Sequence, residues 1–394
     1  MRILFTCSAA LGHLHPLVPI ARAAAQAGHE VAFATQAPFA PTVERTGFRV
    51  FPAGMAKATA DAFPEAATLR GPDIGAFVLA HVRPAQAAAM AADLLNIVAE
   101  WRPDLLVRES HEYGACIVAE RLGLPYAVVE IIAGGMSQER RAILSAGLAG
   151  VLAAHGLPPD PELRIEERQL VLSPFPPSYR GGAARVADTP WLSIRPTPFD
   201  QSGDEQQPAW IEELAAQPTA YLTLGTSLLF NARPAIFRAF IEGLANERLN
   251  LIVAVGPNND PADFGPAPPN VRIERYIPQT LLFSRCAVVI CHGGSGTVMA
   301  ALAHGLPLVL VPIGADQPQN ARRCADLELA RVLDEDTLDP AVARAAVLQV
   351  LGTPSYRQHA EQLRAEIDAL PGPEQAVTLL ERLASGEDLA LSHR

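Results

Sequence analysis

Ala287-Val288-Val289-Ile290-Cys291-His292-Gly293-Gly294-Ser295-Gly296-Thr297 decides the fold of this chain. Its first five residues are an apolar run of strand length, and residues 298–304 beyond it have helical spacing. The three glycines between them let the backbone turn sharply and come close to a ligand. A strand that ends in such a turn and opens a helix aims backbone N–H groups and the positive end of the helix dipole at one place, which is how a phosphate is held. A second apolar run, residues 307–313, leads to Asp316-Gln317. A carboxylate and an amide suited to sugar hydroxyls therefore follow the phosphate cradle within one βαβ unit.

Working outward, the same alternation fills the chain. Residues 2–7, 30–35, 104–107 and 126–131 read as strands, and 16–27, 38–46 and 113–122 as helices, with Gly28 and Gly123 where C′ glycines end helices. Periodicity fails between about 174 and 217, and residues 199–208 read as an exposed connector. Alternation restarts with 220–224, 236–244, 250–255, 271–274, 287–291 and 308–313. At 394 residues, two cores are expected. Strands alternating with helices give parallel sheets covered on both faces. The expected fold is α/β, with two Rossmann-like doubly wound domains, 1–200 and 218–370, joined by a linker at 201–217. Helical segments follow at 356–369 and 374–384, and the tail 371–394 is expected to pack back on the first domain. Ligands bind beyond the carboxyl ends of parallel strands, so two such sheets facing across a cleft would hold substrate between them.

Composition excludes several classes. Hydrophobic residues make up 49% and charged residues 19%, as in a soluble globular protein, and the formal charge of −11 opposes general nucleic-acid binding. No apolar run reaches the roughly 18 residues that span a bilayer, and no secretory segment precedes the first strand. A cytoplasmic protein without membrane or nucleic-acid partners is expected, and a monomer and a homodimer both fit. Cys7, Cys116, Cys286, Cys291 and Cys324 are scattered, which indicates core residues rather than disulfides or zinc ligands. No metal-ligand spacing, P-loop, Gly-x-Gly-x-x-Gly or Gly-x-Ser-x-Gly motif accompanies the strands.

Candidate chemistry sits at strand ends. Gly12-His13 follows the first strand and precedes Pro16, so His13 is placed near a helix N-terminus, which favours the neutral imidazole a general base requires. Glu109 ends the third strand and could orient His13 by accepting a hydrogen bond from one ring nitrogen; His111 and Glu112 compete for that role. In the second half, Thr226 and Ser227 offer anion donors after its first strand. Tyr276, Ile277 and Gln279 precede the cradle, where the ring can stack on a nucleobase.

Taken together, Gly12-His13 with Pro16, the acid after Pro103-Asp104, Tyr276-Ile277-Pro278-Gln279, the 292–297 cradle and Asp316-Gln317-Pro318-Gln319-Asn320-Ala321 resemble the nucleotide-sugar-dependent glycosyltransferases of the GT-B fold. The resemblance spans residues 1 to about 385. Its most specific block, 276–320, is similar to the donor signature shared by plant natural-product glucosyltransferases and bacterial antibiotic glycosyltransferases, the bacterial branch being nearer.

The resemblance implies an inverting transfer of a sugar from a TDP- or UDP-sugar to a hydroxyl of a small hydrophobic natural product, without cofactor or metal. The nucleoside-diphosphate sugar is a co-substrate. By resemblance His13 is the base and Glu109 its partner. Gly12, Thr226, Ser227, Tyr276, Ile277, Gln279, His292, Gly294, Ser295, Gly296, Thr297, Asp316 and Gln317 bind the donor. Met55, Phe63, Phe77, Ile132 and Met136, in and around stretches 55–90 and 134–152, wall the acceptor site. Glu109 stands where many members have aspartate. Ala300 stands where plant members carry a ribose-binding glutamate, which suits a deoxyribose donor. Fold and diphosphate site alone leave two alternatives: a sugar-nucleotide epimerase or hydrolase, and a non-catalytic auxiliary nucleotide-binding protein.

Overall fold

The computed structural model describes residues 1–55, 62, 63, 71–181, 189–197, 199 and 207–389. Residues 56–61 and 64–70 of the expected acceptor wall, 200–206 of the expected connector and 390–394 of the expected tail lie outside the described residues. Two compact units form. One holds the described parts of Met1–Phe175, Arg180–Arg195 and Leu370–Arg394, and the other those of Pro176–Tyr179 and Pro196–Ala369.

The first unit is built on strands β1 (Arg2–Thr6), β2 (Glu30–Thr35), β3 (Arg49–Pro52), β4 (Leu105–Glu109), β5 (Tyr126–Val129), β6 (Val171–Ser173) and β7 (Trp191–Ser193). They pair in the order β3-β2-β1-β4-β5-β6-β7, all parallel. The second unit repeats the plan with β8 (Thr219–Thr223), β9 (Asn250–Ala254), β10 (Val271–Glu274), β11 (Val288–Cys291), β12 (Leu308–Leu310) and β13 (Ala330–Val332), ordered β10-β9-β8-β11-β12-β13 and also parallel. Strands β4, β8 and β11 are buried along their whole length, and β1 is buried except at Arg2. Central strands covered on both faces need unbroken apolar runs, which is why they stand out in the sequence.

In each sheet the chain winds outward one way from its first strand and then the other. The crevices at β1/β4 and β8/β11 are therefore topological switch points, where the loops leaving adjacent strands diverge and leave room for a ligand. Residues 7–13 and 110–113 leave the first, and 224–227 and 292–296 leave the second.

Close helix contacts fix the layers. A methyl group at Gly114, the first residue of helix Gly114–Leu122, would lie 2.7 Å from Met90 Cβ, so glycine lets helix Arg83–Trp101 approach. Gly243 plays the same part in helix Pro234–Leu244, where a methyl would overlap the Pro340 carbonyl oxygen of helix Pro340–Gly352. Helix Pro373–Ala384 packs on Val18–Gln26 within the first unit, and His29 Nε2 meets Glu381 Oε1 at 2.9 Å. All five cysteines are buried and unpaired. Among the described residues no helix is long and apolar enough to cross a membrane.

Candidate active site

His13 lies on a single helical turn, Leu11–Leu14, that β1 delivers to the first switch point. Its Nδ1 is 2.8 Å from Glu109 Oε1, at the end of β4. The same oxygen accepts from Ser8 Oγ at 2.8 Å, and Oε2 accepts from the His111 backbone N–H at 2.5 Å. The Glu109 side chain is fully buried and that of His13 is 19% exposed, so the carboxylate is sealed while the imidazole keeps an open edge. Burial opposes ionisation of Glu109, but the neighbouring His13, His111 and Arg83 outweigh it and hold the carboxyl well below the usual carboxylate range. An ionised carboxylate can only accept, so Nδ1 of His13 is the donor in this bond, and in the neutral ring Nε2 is then the acceptor.

The two competitors have other work. Glu112 accepts from Thr6 Oγ1 at 2.5 Å and from the Gly114 N–H at 2.6 Å, so it caps helix Gly114–Leu122 from inside the protein. Burial pushes its carboxyl up. Replacing Glu112 by alanine strips the Gly114 N–H and Thr6 hydroxyl of a buried acceptor. The unfolding free energy is expected to fall by about 1–3 kcal/mol; a melting temperature within a degree of wild type would contradict this. His111 Nδ1 accepts from Arg83 Nη2 at 3.2 Å, and burial together with that guanidinium holds it well below the usual histidine range. The donor atoms of His13, Glu109 and His111 lie within 4.8 Å of one another. They meet as a hydrogen-bonded set, both carboxylate oxygens being engaged.

Arg108 was given no role by sequence reading. Fully buried, it donates from Nη1 to the carbonyls of Glu109, Ser110 and Glu112 at 3.0, 3.1 and 2.9 Å, and from Nη2 to Glu166 O at 2.5 Å. It shapes the turn that presents Glu109. The signal was an arginine continuing an apolar strand, a position too costly for a charge unless hydrogen bonds compensate it, as they do here at Nη1 and Nη2.

Of the expected acceptor residues, Phe63 and Phe77 pair edge to face at 6.1 Å. Met136 packs against the first unit's core, and Met55 and Ile132 are half-buried.

In the second unit β11 runs into the cradle. His292 is buried, Gly293 takes φ +87°, and Gly294 is the extended cap of helix Ser295–Ala303, whose first N–H, that of Ser295, donates to Asp316 Oδ2 at 3.3 Å. The imidazole fills the space beside two glycines: a methyl at Gly294 would lie 2.6 Å from Nε2, and one at Gly225 3.0 Å from it. Burial drops His292 to about 4, partly opposed by Asp316, so the ring is neutral at pH 7. Its buried Nδ1 has no hydrogen-bond partner among the described residues.

Asp316 faces this turn. Its Oδ2 accepts from Ser295 Oγ at 2.7 Å and from Asn320 Nδ2 at 2.8 Å, and Asn320 also donates to Gly293 O at 2.9 Å. Asn320 thus ties the two loops together, although sequence reading quoted it without a role. Gln317 is 1% exposed, and its Oε1 accepts from the N–H groups of Ile313 and Gly314 at 2.8 and 3.0 Å. Its amide oxygen therefore supports its own turn. Gln279 Nε2 donates to Thr297 Oγ1 at 3.2 Å, Tyr276 is 44% exposed, and Ile277 is core. Gly225 takes φ +79°, and Ser227 O accepts from the N–H groups of Phe230 and Asn231. Gly12 and Gly296 are exposed, with space around their α-carbons; Thr226 is half-buried and Thr297 buried.

Two parallel α/β sheets of Rossmann type, each with polar loops at its switch point, define the scaffold of the GT-B glycosyltransferases. Residues 242–383 match the family described as the C-terminal domain of erythromycin biosynthesis protein CIII-like proteins. The chain is 30% identical to 4'-demethylrebeccamycin synthase of Lentzea aerocolonigenes, over 97% of this chain and 99% of that protein. It is also 30% identical to tylactone mycaminosyltransferase of Streptomyces fradiae, over 98% and 93%. Among solved structures, the glycosyltransferase SsfS6 of Streptomyces sp. SF2575, complexed with thymidine diphosphate, superposes with a TM-score of 0.77 at 26% identity, over 97% of this chain and 99% of that one. The chain belongs to this family of natural-product glycosyltransferases.

Proposed function

We propose that this enzyme transfers a sugar, with inversion, from a thymidine-diphosphate donor to a hydroxyl of a small hydrophobic natural product. The observation that carries this is the 2.8 Å His13–Glu109 pair, with Nε2 of the imidazole left open. Nε2 takes the acceptor hydroxyl proton while the acceptor oxygen bonds to the anomeric carbon, and the bond from that carbon to the diphosphate oxygen breaks. Glu109 balances the imidazolium that forms. A base acting on the acceptor, rather than a carboxylate attacking the sugar, fits one displacement and hence inversion.

The departing diphosphate carries the developing negative charge. The N–H groups of Gly296 and Thr297, the dipole of their helix and a nitrogen of neutral His292 are suited to meet it without a metal ion. Asp316 is assigned to a sugar hydroxyl, and Tyr276, exposed after β10, to the base. The deoxyribose preference is supported by Ala300, buried on the cradle helix where it offers no acceptor to a ribose 2′-hydroxyl, and by the diphosphate bound in SsfS6.

Nucleotide choice is open to a direct test by thermal shift with TDP, UDP and GDP. A ligand at 100 times its dissociation constant adds about 2.7 kcal/mol of stability. TDP is expected to give the largest rise in melting temperature; a UDP shift equal to or above it would refute the deoxyribose assignment.

A further inference from the structure

His111 is held at two points and open at a third. Its backbone N–H donates to Glu109 Oε2 at 2.5 Å while Oε1 of the same carboxylate meets His13 Nδ1, so one acid fixes both histidines. On the ring, Nδ1 meets Arg83 Nη2 at 3.2 Å. A guanidinium can only donate, so Nδ1 is the acceptor there. Burial and that guanidinium keep the ring uncharged, and its one proton is on Nε2. Arg83 is itself fixed, Nη1 donating to Gln86 Oε1 at 3.1 Å, and its helix, Arg83–Trp101, is entered through a π turn, Val78–Val82, a rare winding that recurs at functional sites.

The Nε2–H of His111 meets no acceptor among the described residues. Its ring is half-buried, and the ring centre lies 5.8 Å from that of His13, with the planes tilted by 56°. The base of the proposed reaction therefore has a neighbour of opposite polarity: His13 Nε2 accepts, and His111 Nε2 donates. An apolar group set against such an N–H strips its water and supplies no partner, which lowers affinity about 5- to 150-fold, whereas an oxygen with a lone pair keeps the bond.

We propose that His111 sets acceptor specificity by selecting a compound whose reacting hydroxyl is flanked, on the neighbouring carbon, by a carbonyl or ether oxygen. The hydroxyl donates to His13 Nε2 and the flanking oxygen accepts from His111 Nε2. This rests on the reading of His13 as the base for a small hydrophobic hydroxyl compound.

The test is calorimetric titration of the full chain with 2-methoxy-1-naphthol and 2-ethyl-1-naphthol, which match in shape and differ in the flanking oxygen, in wild type, His111→Phe and His111→Gln. In wild type the methoxy compound is expected to bind about 5-fold or more tightly than the ethyl one. His111→Phe, which removes the N–H and keeps a ring, binds the ethyl compound at least as well as wild type does and brings the two within about 2-fold. His111→Gln, which keeps an N–H donor, retains the preference. A wild type that binds both alike, a preference that survives in His111→Phe, or one that His111→Gln fails to keep overturns the role of His111 alone. Loss of both compounds from His111→Phe marks a purely structural role and overturns it too. A wild type that binds neither naphthol overturns the reading of the acceptor as a small hydrophobic hydroxyl compound, and this inference with it.

Discussion

Turnover of the His13→Ala variant is expected to fall about 10²- to 10⁴-fold, or roughly 3–5 kcal/mol of barrier, with TDP affinity within about 3-fold of wild type. The asymmetry follows from position: His13 hangs from β1 in the first unit, whereas His292, Tyr276 and helix Ser295–Ala303, to which the nucleotide is assigned, lie in the second. Glu109→Gln should come close to the same loss. An amide can turn its NH₂ group to Nδ1, which moves the imidazole proton to Nε2 and removes the lone pair that the acceptor needs. Because the two residues act as one device, the double variant should be little worse than either single one. Steady-state kinetics with saturating donor decides the matter. A His13→Ala enzyme of near-normal turnover would exclude it as the base, and losses that multiply in the double variant would separate the pair.

The Gly243→Ala variant is expected to be less stable by about 2 kcal/mol, although helix propensity argues the other way. Alanine inside a helix is worth up to about 1 kcal/mol over glycine. Here the added methyl would overlap the carbonyl oxygen of Pro340, a backbone atom that moves only with its helix, and such overpacking costs about 1–3 kcal/mol or more. The clash should win, and the melting temperature should drop by about 4–8 °C. Gly150 is the control: it lies in helix Gln138–Ala154 with open space where a methyl would go, so Gly150→Ala should raise stability slightly. A melting curve in which both variants gain stability would show that the Pro234–Leu244 and Pro340–Gly352 helices part easily.

The contrast between those glycines marks how far a sequence can be read. Strands β1, β4, β8 and β11 are buried on both faces, so their apolar runs announced both sheets and placed the loops after them. Strands β3, β6, β7 and β13 are only three or four residues long and were not anticipated; their pairing comes from neighbours, not from their own pattern. His13 and the cradle were legible because strand ends and glycine turns are local signals. Which of Glu109, His111 and Glu112 meets His13 was not, since all three lie within four residues. The choice is made by β4 registering beside β1, Thr6 opposite Arg108, and by Arg108 gripping the turn that follows. Asn320 and Gln317 illustrate the same limit: each is used by backbone groups that only the folded loop brings near.

Both sets of polar loops hang from places where neighbouring strands part company, and the sheets beneath are braced by helices on either side. Insertions or exchanges in those loops would leave the buried ladders intact, so the two sets of loops can vary separately, one unit at a time. Such a scaffold lends itself to divergence by local replacement, and chimeras joined within the loops rather than within the strands should fold.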